Sequence, residues 1–212
     1  MIEANQLYKT YSIVEKELGL KGSIKAFFHP KKKQIHAVQN ISLTVQKGEI
    51  VGYIGSNGSG KSTTIKMLTG VLYPDRGSVK INGLTPQKHR TAVNKQIGVL
   101  FGQKSHLRWD IPVLESFILH AKIYDVPDKV FEERLEQLID LLQLGDFIHQ
   151  PVRNLSLGQR VRCEFAAIFI HQPAVVFLDE PTIGLDASVK ETIRSFIRFM
   201  NKEYQNFPHY VS

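Results

Sequence analysis

The sequence predicts an α/β fold that is interrupted by an inserted helical block. Short apolar runs of strand length occupy residues 50–54, 97–101 and 174–178, and they alternate with segments of helical period. A glycine-rich turn joins the first of these predicted strands to a helix over residues 63–69. From Pro112 the apolar period becomes helical for two consecutive segments, which breaks the alternation that is typical of an α/β core.

The N-terminal part of the chain predicts two strands separated by a basic insertion. Residues 2–11 alternate loosely between apolar and polar side chains and indicate an edge strand, whereas residues 37–45 alternate well and indicate a half-buried strand. The insertion between them, Lys16 to Lys33, is amphipathic and predicts a short helix or two that ends at Pro30.

The middle of the chain predicts a short hairpin and then two helices. Residues 78–81 form a predicted strand, and the dipeptide Asn82-Gly83 is typical of a tight hairpin turn. The first helix is predicted over residues 113–124. The apolar side chains of the second helix form a single stripe that consists of Phe131, Leu135, Leu138, Ile139 and Leu142.

The last third of the chain predicts a capped helix and then a strand that ends in two carboxylates. Ser156 is a good N-cap for a helix over residues 157–171. Residues 174–178 predict a fully buried strand, and Asp179 and Glu180 follow at its carboxyl end. That end of a strand is where α/β folds place their ligands.

Composition narrows the class of protein. The chain has 212 residues, of which 42% are hydrophobic, and its longest apolar runs are far too short to span a bilayer. Its first residues do not resemble a signal peptide, so we expect a cytoplasmic protein. The single cysteine, Cys163, lies in a helical pattern, and we expect a packed thiol rather than a nucleophile.

The net charge of +7 is concentrated in the insertion between residues 16 and 33. A solvated surface is the usual explanation of such a cluster. The anionic inner leaflet of a membrane is the alternative that we favour over nucleic acid. Two acidic side chains, Glu15 and Glu17, interrupt the cluster, and no nucleic-acid-binding motif accompanies it.

A phosphate-binding pattern, G-x-x-x-x-G-K-S, follows the predicted strand at residues 50–54. Its members, with the next residue of the helix, are Gly55, Ser56, Asn57, Gly58, Ser59, Gly60, Lys61, Ser62 and Thr63. Glycines permit the positive φ angles and close backbone approach that a phosphate cradle needs, and the helix N-terminus adds partial positive charge. Lys61 can reach the β- and γ-phosphates of a nucleotide, and the Ser62 hydroxyl can bind Mg²⁺. A flexible glycine-serine linker is the alternative, but it does not explain the flanking strand and helix.

Further motifs follow this pattern in a fixed order. They are Gln103, the sequence LSLGQ at residues 155–159, LDEPT at residues 178–182 and GLD at residues 184–186. The whole set resembles the phosphate loop, Q-loop, signature, Walker B motif and D-loop of the ATP-binding subunit of an ABC transporter. The basic insertion and residues 101–105 look most similar to separate-chain ATPases of exporter-type systems with ABC-2-like permeases.

The resemblance implies a particular fold and assembly. The fold would be a P-loop NTPase core of the ABC ATPase type, with an N-terminal antiparallel β subdomain and an inserted α-helical subdomain. A single domain would cover residues 1–212, with the core at 1–103 and 160–212 and the helical subdomain at about 104–159. Two ATP-binding subunits would form a head-to-tail dimer at the inner face of the cell membrane, and ATP hydrolysis there would drive a separate permease.

The resemblance also implies roles for individual residues. Asp179 would hold Mg²⁺ through water, and Glu180 would orient or deprotonate the attacking water. Gln103 would sense Mg²⁺ and the γ-phosphate of ATP. From across the dimer, Ser156, Gly158 and Gln159 would meet that γ-phosphate, while Asp186 would shape the dimer contact and the partner's water site. On their own, Ser156 would be only a helix cap and Asp186 only the cap of a helix over residues 188–204.

The sequence departs from the family pattern at two single positions and at its C-terminal end. Leu157 stands in the signature where glycine is the commonest residue, and Lys32 lies about where an adenine-stacking aromatic is usual. Family members also continue after the last helix with a buried strand and a switch histidine, whereas His209 here has no apolar strand before it. We therefore expect a C-terminally truncated chain that is prone to aggregation.

Two alternatives to an active transport ATPase stay open at this point. The first is a non-catalytic remnant that binds nucleotide or permease weakly. The second is a soluble ABC protein that acts on nucleic acid or ribosomes, although such proteins usually carry two ATPase cassettes in one chain.

Overall fold

The structure, a computed structural model, describes residues 1–14, 32–101 and 105–206. Two units, Met1–Arg90 and Thr91–Ser212, each have their own internal contacts. Several predictions concern residues outside the described ranges. They are the predictions for most of the basic insertion, for Gln103 and for His209. The predicted division into a core and a helical subdomain stays a prediction.

The first unit is built on a three-stranded antiparallel sheet. Its strands are β1 (Ile2–Val14), β2 (Lys32–Val45) and β3 (Arg76–Ile81), in the order β2-β1-β3. This confirms the predicted antiparallel subdomain. The prediction of an edge strand at residues 2–11 is wrong, because β1 is central: Ile2 pairs with Val45 on one side and with Ile81 on the other.

The loose alternation of β1 has a local cause. Gln6 has a φ of 46°, and the register of β1 shifts on both sides of the sheet near this residue. Such a bulge breaks the period of two, so the sequence pattern of a central strand looks like that of a weaker one.

The predicted strand at residues 50–54 is wrong. The structure places these residues in neither sheet, and Ile50 and Ile54 are 62% and 93% exposed. A parallel strand needs hydrogen-bonding neighbours to satisfy its backbone. Within the described residues, the parallel sheet contains only strands of the second unit, so an apolar sequence alone does not form the strand.

One helix and one tight turn complete the part of the first unit that concerns the site. Helix α1 (Lys61–Leu68) follows the glycine-rich segment, as the sequence predicts. The turn Asn82-Gly83 is also confirmed, since both residues have positive φ and the backbones of Ile81 and Leu84 exchange two hydrogen bonds across it.

The second unit contains a two-stranded parallel sheet and most of the helices. Its elements are α2 (Arg90–Asn94), β4 (Ile97–Phe101), α3 (Val113–Ile123), α4 (Asp128–Leu142), a 3₁₀ turn (Val152–Asn154), α5 (Leu157–Phe169), β5 (Val175–Asp179) and α6 (Ala187–Asn206). Strands β4 and β5 pair in parallel, so that Phe101 lies opposite Asp179 at their carboxyl ends. The predicted helices and the strand at residues 97–101 are confirmed.

Helix α5 forms the centre of the second unit's core. Phe165 of this helix meets Phe196 of α6 edge-on, with ring centroids 6.3 Å apart, and both side chains are buried. Cys163 is buried among the same side chains, which confirms its predicted structural role. Burial raises the pKa of its thiol to about 12, so the thiolate that would act as a nucleophile does not form near neutral pH.

Strand β5 is less buried than its sequence predicts. Phe177 is buried, but the residues on either side of it are only half-buried. In the described part of the chain, β5 pairs with β4 alone, so its other edge has no strand to cover it. In the same part of the chain, no helix is long and apolar enough to cross a membrane.

Candidate functional site

The phosphate-binding pattern forms a tight loop directly before helix α1. The backbone N–H of Ser59 donates to the carbonyl of Ser56 at 3.2 Å, which closes a turn around Asn57 and Gly58. Gly58 has a φ of 81° and Gly60 a φ of 89°, so both glycines use the left-handed region. The pattern specifies glycine at position 60, and the backbone conformation there is one that glycine adopts without strain; Gly58, at a position that the pattern leaves open, meets the same need.

Gly60 also lies against strand β2. A Cβ atom at this position would sit 2.1 Å from the backbone carbonyl oxygen of Ala37 and 3.2 Å from a methyl group of Val38. No side chain fits in that space without movement of the backbone. The absence of a side chain at Gly60 therefore lets the start of α1 approach the sheet.

Lys61 closes the loop with its ammonium group. Its Nζ atom donates to the carbonyl oxygens of Gly55 and Ser56 at 2.8 and 2.9 Å. A positive charge is thus held inside the loop, at the N-terminus of α1, where the helix dipole also favours an anion. Ser62 and Thr63 occupy the first turn of the same helix and are half-buried. This arrangement can bind a phosphate group.

The second unit carries the LSLGQ segment at the start of α5. Ser156 caps that helix in both directions: its Oγ accepts from the N–H of Gln159 at 3.2 Å, and its own N–H donates to the Gln159 side chain at 2.8 Å. This capping box confirms the predicted N-cap. It fixes the position of the Ser156 side chain at a helix N-terminus, which is a suitable place for an anion.

An open cavity of about 460 Å³ lies between the start of α5 and the start of α6. It is lined by Ser156, Leu157, Gly158, Gln159, Arg162, Gly184, Leu185, Asp186 and Val189. A Cβ atom at Gly158 would meet a methyl group of Val189 at 2.9 Å, so this glycine permits the close approach of the two helices. Leu157, which stands in place of the usual glycine, is exposed at the cavity.

Asp186 acts as a cap for helix α6. Its Oδ1 accepts from the N–H of Val189 at 2.9 Å, and its carbonyl accepts from the N–H of Lys190 at 3.1 Å. One carboxylate oxygen is thereby oriented at the rim of the cavity that Ser156 lines. The tertiary structure brings these two residues together across thirty positions of sequence, which the sequence analysis did not predict.

Two carboxylates stand at the carboxyl end of β5. Asp179 is the last residue of the strand and is half-buried, and Glu180 directly after it is exposed. Glu180 has a φ of 53°, a conformation that is uncommon for residues other than glycine and that turns the chain sharply away from the strand. The sequence contains no signal for this backbone strain, which is often found at functional positions.

The described residues fit a hydrated magnesium ion better than a metal held by protein alone. In the ranges that the structure covers, no group of three or more His, Cys, Asp or Glu side chains could hold a metal ion. Magnesium keeps several waters and is usually bound by one or two carboxylates together with substrate phosphates. The hydroxyl of Ser62 in the first unit and the carboxylate of Asp179 in the second are each a group of the kind that such an ion binds.

Sequence reasoning missed two charged residues of helix α5 that hold other elements in place. Arg162 donates from Nη1 to the carbonyls of Leu142 and Gln143, at 3.2 and 3.0 Å, and so caps the C-terminal end of α4. Glu164 is buried and accepts hydrogen bonds from the segment that begins at Ser105. The contact of Glu164 had a signal in the sequence, because a glutamate among the apolar residues of a helix indicates a buried hydrogen-bond acceptor.

A cluster of aromatic side chains lies beside the same segment. The ring of His120 is 5.8 Å from the rings of both His106 and His171, and Tyr124 stacks on His171 at 3.8 Å. Burial, with smaller contributions from the neighbouring histidines, lowers the pKa of His120 to about 3. Burial likewise lowers the pKa of His171 to about 4, against a hydrogen bond to the Ile97 carbonyl that raises it. Both imidazoles are therefore neutral at physiological pH.

Comparison with known protein families gives a match over most of the chain. The model of the family described as "ABC transporter" matches residues 38–183. The ABC transporter ATP-binding protein NatA of Bacillus subtilis is 34% identical over 176 residues, which cover 83% of this chain and 72% of NatA. The methionine import ATP-binding protein MetN 2 of Enterococcus faecalis is 34% identical over 184 residues, or 85% of this chain and 53% of that protein.

A solved structure has the same fold. The dimeric structure of a bacterial ABC transporter cassette superposes with a TM-score of 0.75 at 25% identity. The superposition covers 96% of this chain and 84% of the cassette. The predicted mixed α/β fold, with its antiparallel sheet and phosphate loop, is confirmed.

Proposed function

The chain belongs to the ABC transporter family as an ATP-binding subunit, with ATP hydrolysis as its expected activity, and we propose that it drives a separate membrane permease of the exporting type. The family assignment confirms the prediction from the motifs. We propose, beyond the family itself, the direction of transport, the separate permease, the assembly and the roles of single residues.

The observation that supports the proposal most strongly is the cavity that Ser156 and Asp186 share. A phosphate loop occurs in many nucleotide-binding proteins, whereas a second anion site at a helix N-terminus, next to a capping aspartate, does not follow from it. The cavity is open to solvent on unit Thr91–Ser212, so a ligand held by another subunit could enter it. A nucleotide bound between two subunits would use such a surface.

We assign the ATP phosphates to the loop before α1. The backbone of Gly55, Ser56, Asn57, Gly58, Ser59 and Gly60 would surround them, and the N–H groups of Ser62 and Thr63 would complete the cradle. The Lys61 ammonium would exchange its two loop carbonyls for β- and γ-phosphate oxygens, which are stronger partners because they are charged. Ser62 would supply a hydroxyl ligand to Mg²⁺.

The remaining roles follow the order of the motifs. Mg²⁺ would neutralise charge on the phosphates, with Asp179 and Gln103 in its hydrated shell. Glu180 would orient or deprotonate the attacking water. From the other subunit of a head-to-tail dimer, Ser156, Gly158 and Gln159 would contact the γ-phosphate, and Asp186 would shape the contact near the water.

The partner and place of action are proposed from the sequence around the site. The resemblance of residues 101–105 to exporter-type ATPases supports an ABC-2-like permease, and the basic insertion supports a position at the anionic inner face of the membrane. Trp109 is 54% exposed, with the guanidinium of Arg160 above its ring at 5.8 Å, and we place it in the permease contact. No role in nucleic-acid binding is proposed.

Hydrolysis and assembly can be tested in one experiment. Purified chain with ATP and Mg²⁺ should release phosphate, and Glu180→Gln should abolish release while it retains ATP binding and favours an ATP-dependent dimer. Glu133→Gln, an exposed glutamate on α4, is the matched control and should behave as the unchanged protein. Phosphate release is measured by a coupled assay and dimer mass by light scattering. Equal turnover of Glu180→Gln and the unchanged chain would contradict the assigned role.

The direction of transport needs a separate test. The chain is co-expressed with the candidate permease, and inside-out membrane vesicles are given ATP. An exporter accumulates cargo inside such vesicles, and accumulation should disappear with Lys61→Ala. ATP-driven loss of preloaded cargo from the vesicles would instead indicate import, the direction that the name of MetN 2 states for that protein.

A second candidate is a subunit that binds ATP without turning it over. The exposure of Ile50 and Ile54, immediately before the phosphate loop, favours it, because within the described ranges no strand pairs with that segment to hold the loop rigidly. Isothermal titration together with the phosphate assay separates the two. Micromolar ATP binding without phosphate release would support the second candidate.

A further inference from the structure

Glu164 is a buried carboxylate in the middle of helix α5. Its side chain is 6% exposed, and its helix neighbours Cys163 and Phe165 are completely buried. A carboxylate is rarely buried unless it is well hydrogen-bonded, since loss of water is costly for a charged group. The carboxylate of Glu164 therefore needs hydrogen-bond donors that offset its loss of hydration.

The partners come from the segment that directly follows Gln103 in the sequence. The hydroxyl of Ser105 donates to one carboxylate oxygen of Glu164, and the backbone N–H of His106 donates to the other at 2.9 Å. The Ser105 Oγ also accepts from the N–H of Leu107 at 3.1 Å. The buried carboxylate thus holds Ser105 and His106 directly, and it holds Leu107 through the Ser105 hydroxyl.

The same segment has two other anchors, but neither is on α5. The His106 ring is within 2.7 Å of the carbonyl of Val99 in β4, through its Nε2 atom. The N–H of Arg108 donates to the buried Ser116 hydroxyl in α3 at 3.1 Å. Among the hydrogen bonds that hold residues 105–108, those to Glu164 are therefore the ones that connect this segment to α5.

Helix α5 begins at the residues that we assign to contact with the γ-phosphate of the ATP bound by the other subunit. Glu164 lies eight positions after Ser156, which corresponds to about 12 Å along a helix. The intervening helix is held rigidly by its capping box and by the buried side chains on its inner face. A displacement at Ser156 would be transmitted to Glu164 and hence to the backbone that follows Gln103.

We propose that Glu164 is a positioning residue for ATP hydrolysis, because it ties the segment after Gln103 to the helix that begins at Ser156. This inference rests on the proposed roles of those two residues. Contact of Ser156 with a nucleotide on another subunit would then fix Ser105 and His106, two and three positions after Gln103 in the sequence. Glu164 does not touch the nucleotide.

A set of three variants separates this role from simple structural support. Glu164→Ala removes both acceptors. Glu164→Gln preserves the connection: its amide oxygen accepts from His106, and its amide N–H donates to Ser105, whose hydroxyl can turn to the Leu107 carbonyl at 3.2 Å. Ser116→Ala is the matched control, since it releases the other end of the segment and leaves α5 connected.

The expected result is a split between the kinetic constants. Glu164→Ala should lower kcat by on the order of ten- to a hundredfold and leave the KM for ATP unchanged, because its effect is misplacement at the reacting centre and not loss of phosphate contacts. Glu164→Gln should restore kcat, and Ser116→Ala should retain it. Amide hydrogen exchange should become faster at His106 in Glu164→Ala and at Arg108 in Ser116→Ala.

Each other outcome contradicts a particular statement. Unchanged kcat in Glu164→Ala, with faster exchange at His106, would show a contact without a role in hydrolysis. Equal losses of kcat in Glu164→Ala and Ser116→Ala would show that only the order of the segment matters. An unchanged chain without turnover would contradict the proposed function, and this role with it. If Glu164→Ala does not fold, Ser105→Ala removes one of the two donors and should give a smaller loss of kcat at constant KM.

Discussion

Two glycines of the phosphate loop give a prediction in which backbone strain and steric overlap can be separated. Gly58 and Gly60 both have φ angles in the left-handed region, at 81° and 89°. At Gly58, no atom of the described residues other than its own chain neighbours lies within 4 Å of where a Cβ would be, whereas at Gly60 the carbonyl oxygen of Ala37 is only 2.1 Å away. Substitution by alanine therefore adds the same strain at both positions but an overlap at only one.

The two costs can be estimated. The left-handed conformation costs an alanine about 1–2 kcal/mol relative to the right-handed one. Overpacking against a fixed backbone adds about 1–3 kcal/mol, since the start of α1 must move away from β2. We expect the free energy of unfolding to fall by about 1–2 kcal/mol in Gly58→Ala and by about 2–5 kcal/mol in Gly60→Ala.

Urea denaturation followed by circular dichroism measures these losses. Amide exchange at Val38 and Thr64 locates them, because the Thr64 N–H donates to the Gly60 carbonyl at 2.8 Å. Exchange at Thr64 should become faster in Gly60→Ala and remain nearly unchanged in Gly58→Ala. Equal destabilisation by the two substitutions would refute the reasoning, because it would show that the contact of Gly60 with Ala37 adds nothing to the strain.

Three further predictions concern charge, capping and pH. Lys61→Ala should weaken ATP binding in isothermal titration by on the order of ten- to a hundredfold, as it removes a charge-assisted contact, and Lys66→Ala on the exposed side of α1 should not. Ser156→Ala should lower the free energy of unfolding by about 1 kcal/mol through loss of the capping box, and Ser156→Thr by less, as urea denaturation will show. The folded pKa values of about 3 for His120 and about 4 for His171 lie below the ordinary value of 6.5. The unfolded chain therefore takes up protons that the folded chain does not, and stability should fall as pH drops from 6.5 towards 4. His120→Phe should flatten that fall in denaturation curves recorded across this range, and an unchanged slope would contradict the assignment.

The sequence by itself determined the features that depend on neighbouring residues. The phosphate loop requires glycine at positions with positive φ, and the sequence has glycine at both of them, Gly58 and Gly60, although the pattern itself specifies only Gly60. A serine three residues before a glutamine forms a capping box, and Ser156 and Gln159 do so. The turn at Asn82-Gly83 was predictable for the same reason, since one turn of backbone contains the hydrogen bonds that fix it. The stripe on α4 was predictable because its apolar side chains recur with the period of the helix.

Only the tertiary structure decided the features that depend on a distant partner. Residues 50–54 have the composition of a buried strand, yet a strand forms only where another backbone supplies hydrogen bonds, and here the segment remains exposed. Strand β1 is central because β2 and β3, far apart in sequence, pair on its two sides. The burial of Glu164 likewise depends on Ser105 and His106, which lie more than fifty positions earlier in the chain. Pairing and the satisfaction of buried polar groups are properties of two segments at once, and the pattern of one segment contains only half of the information.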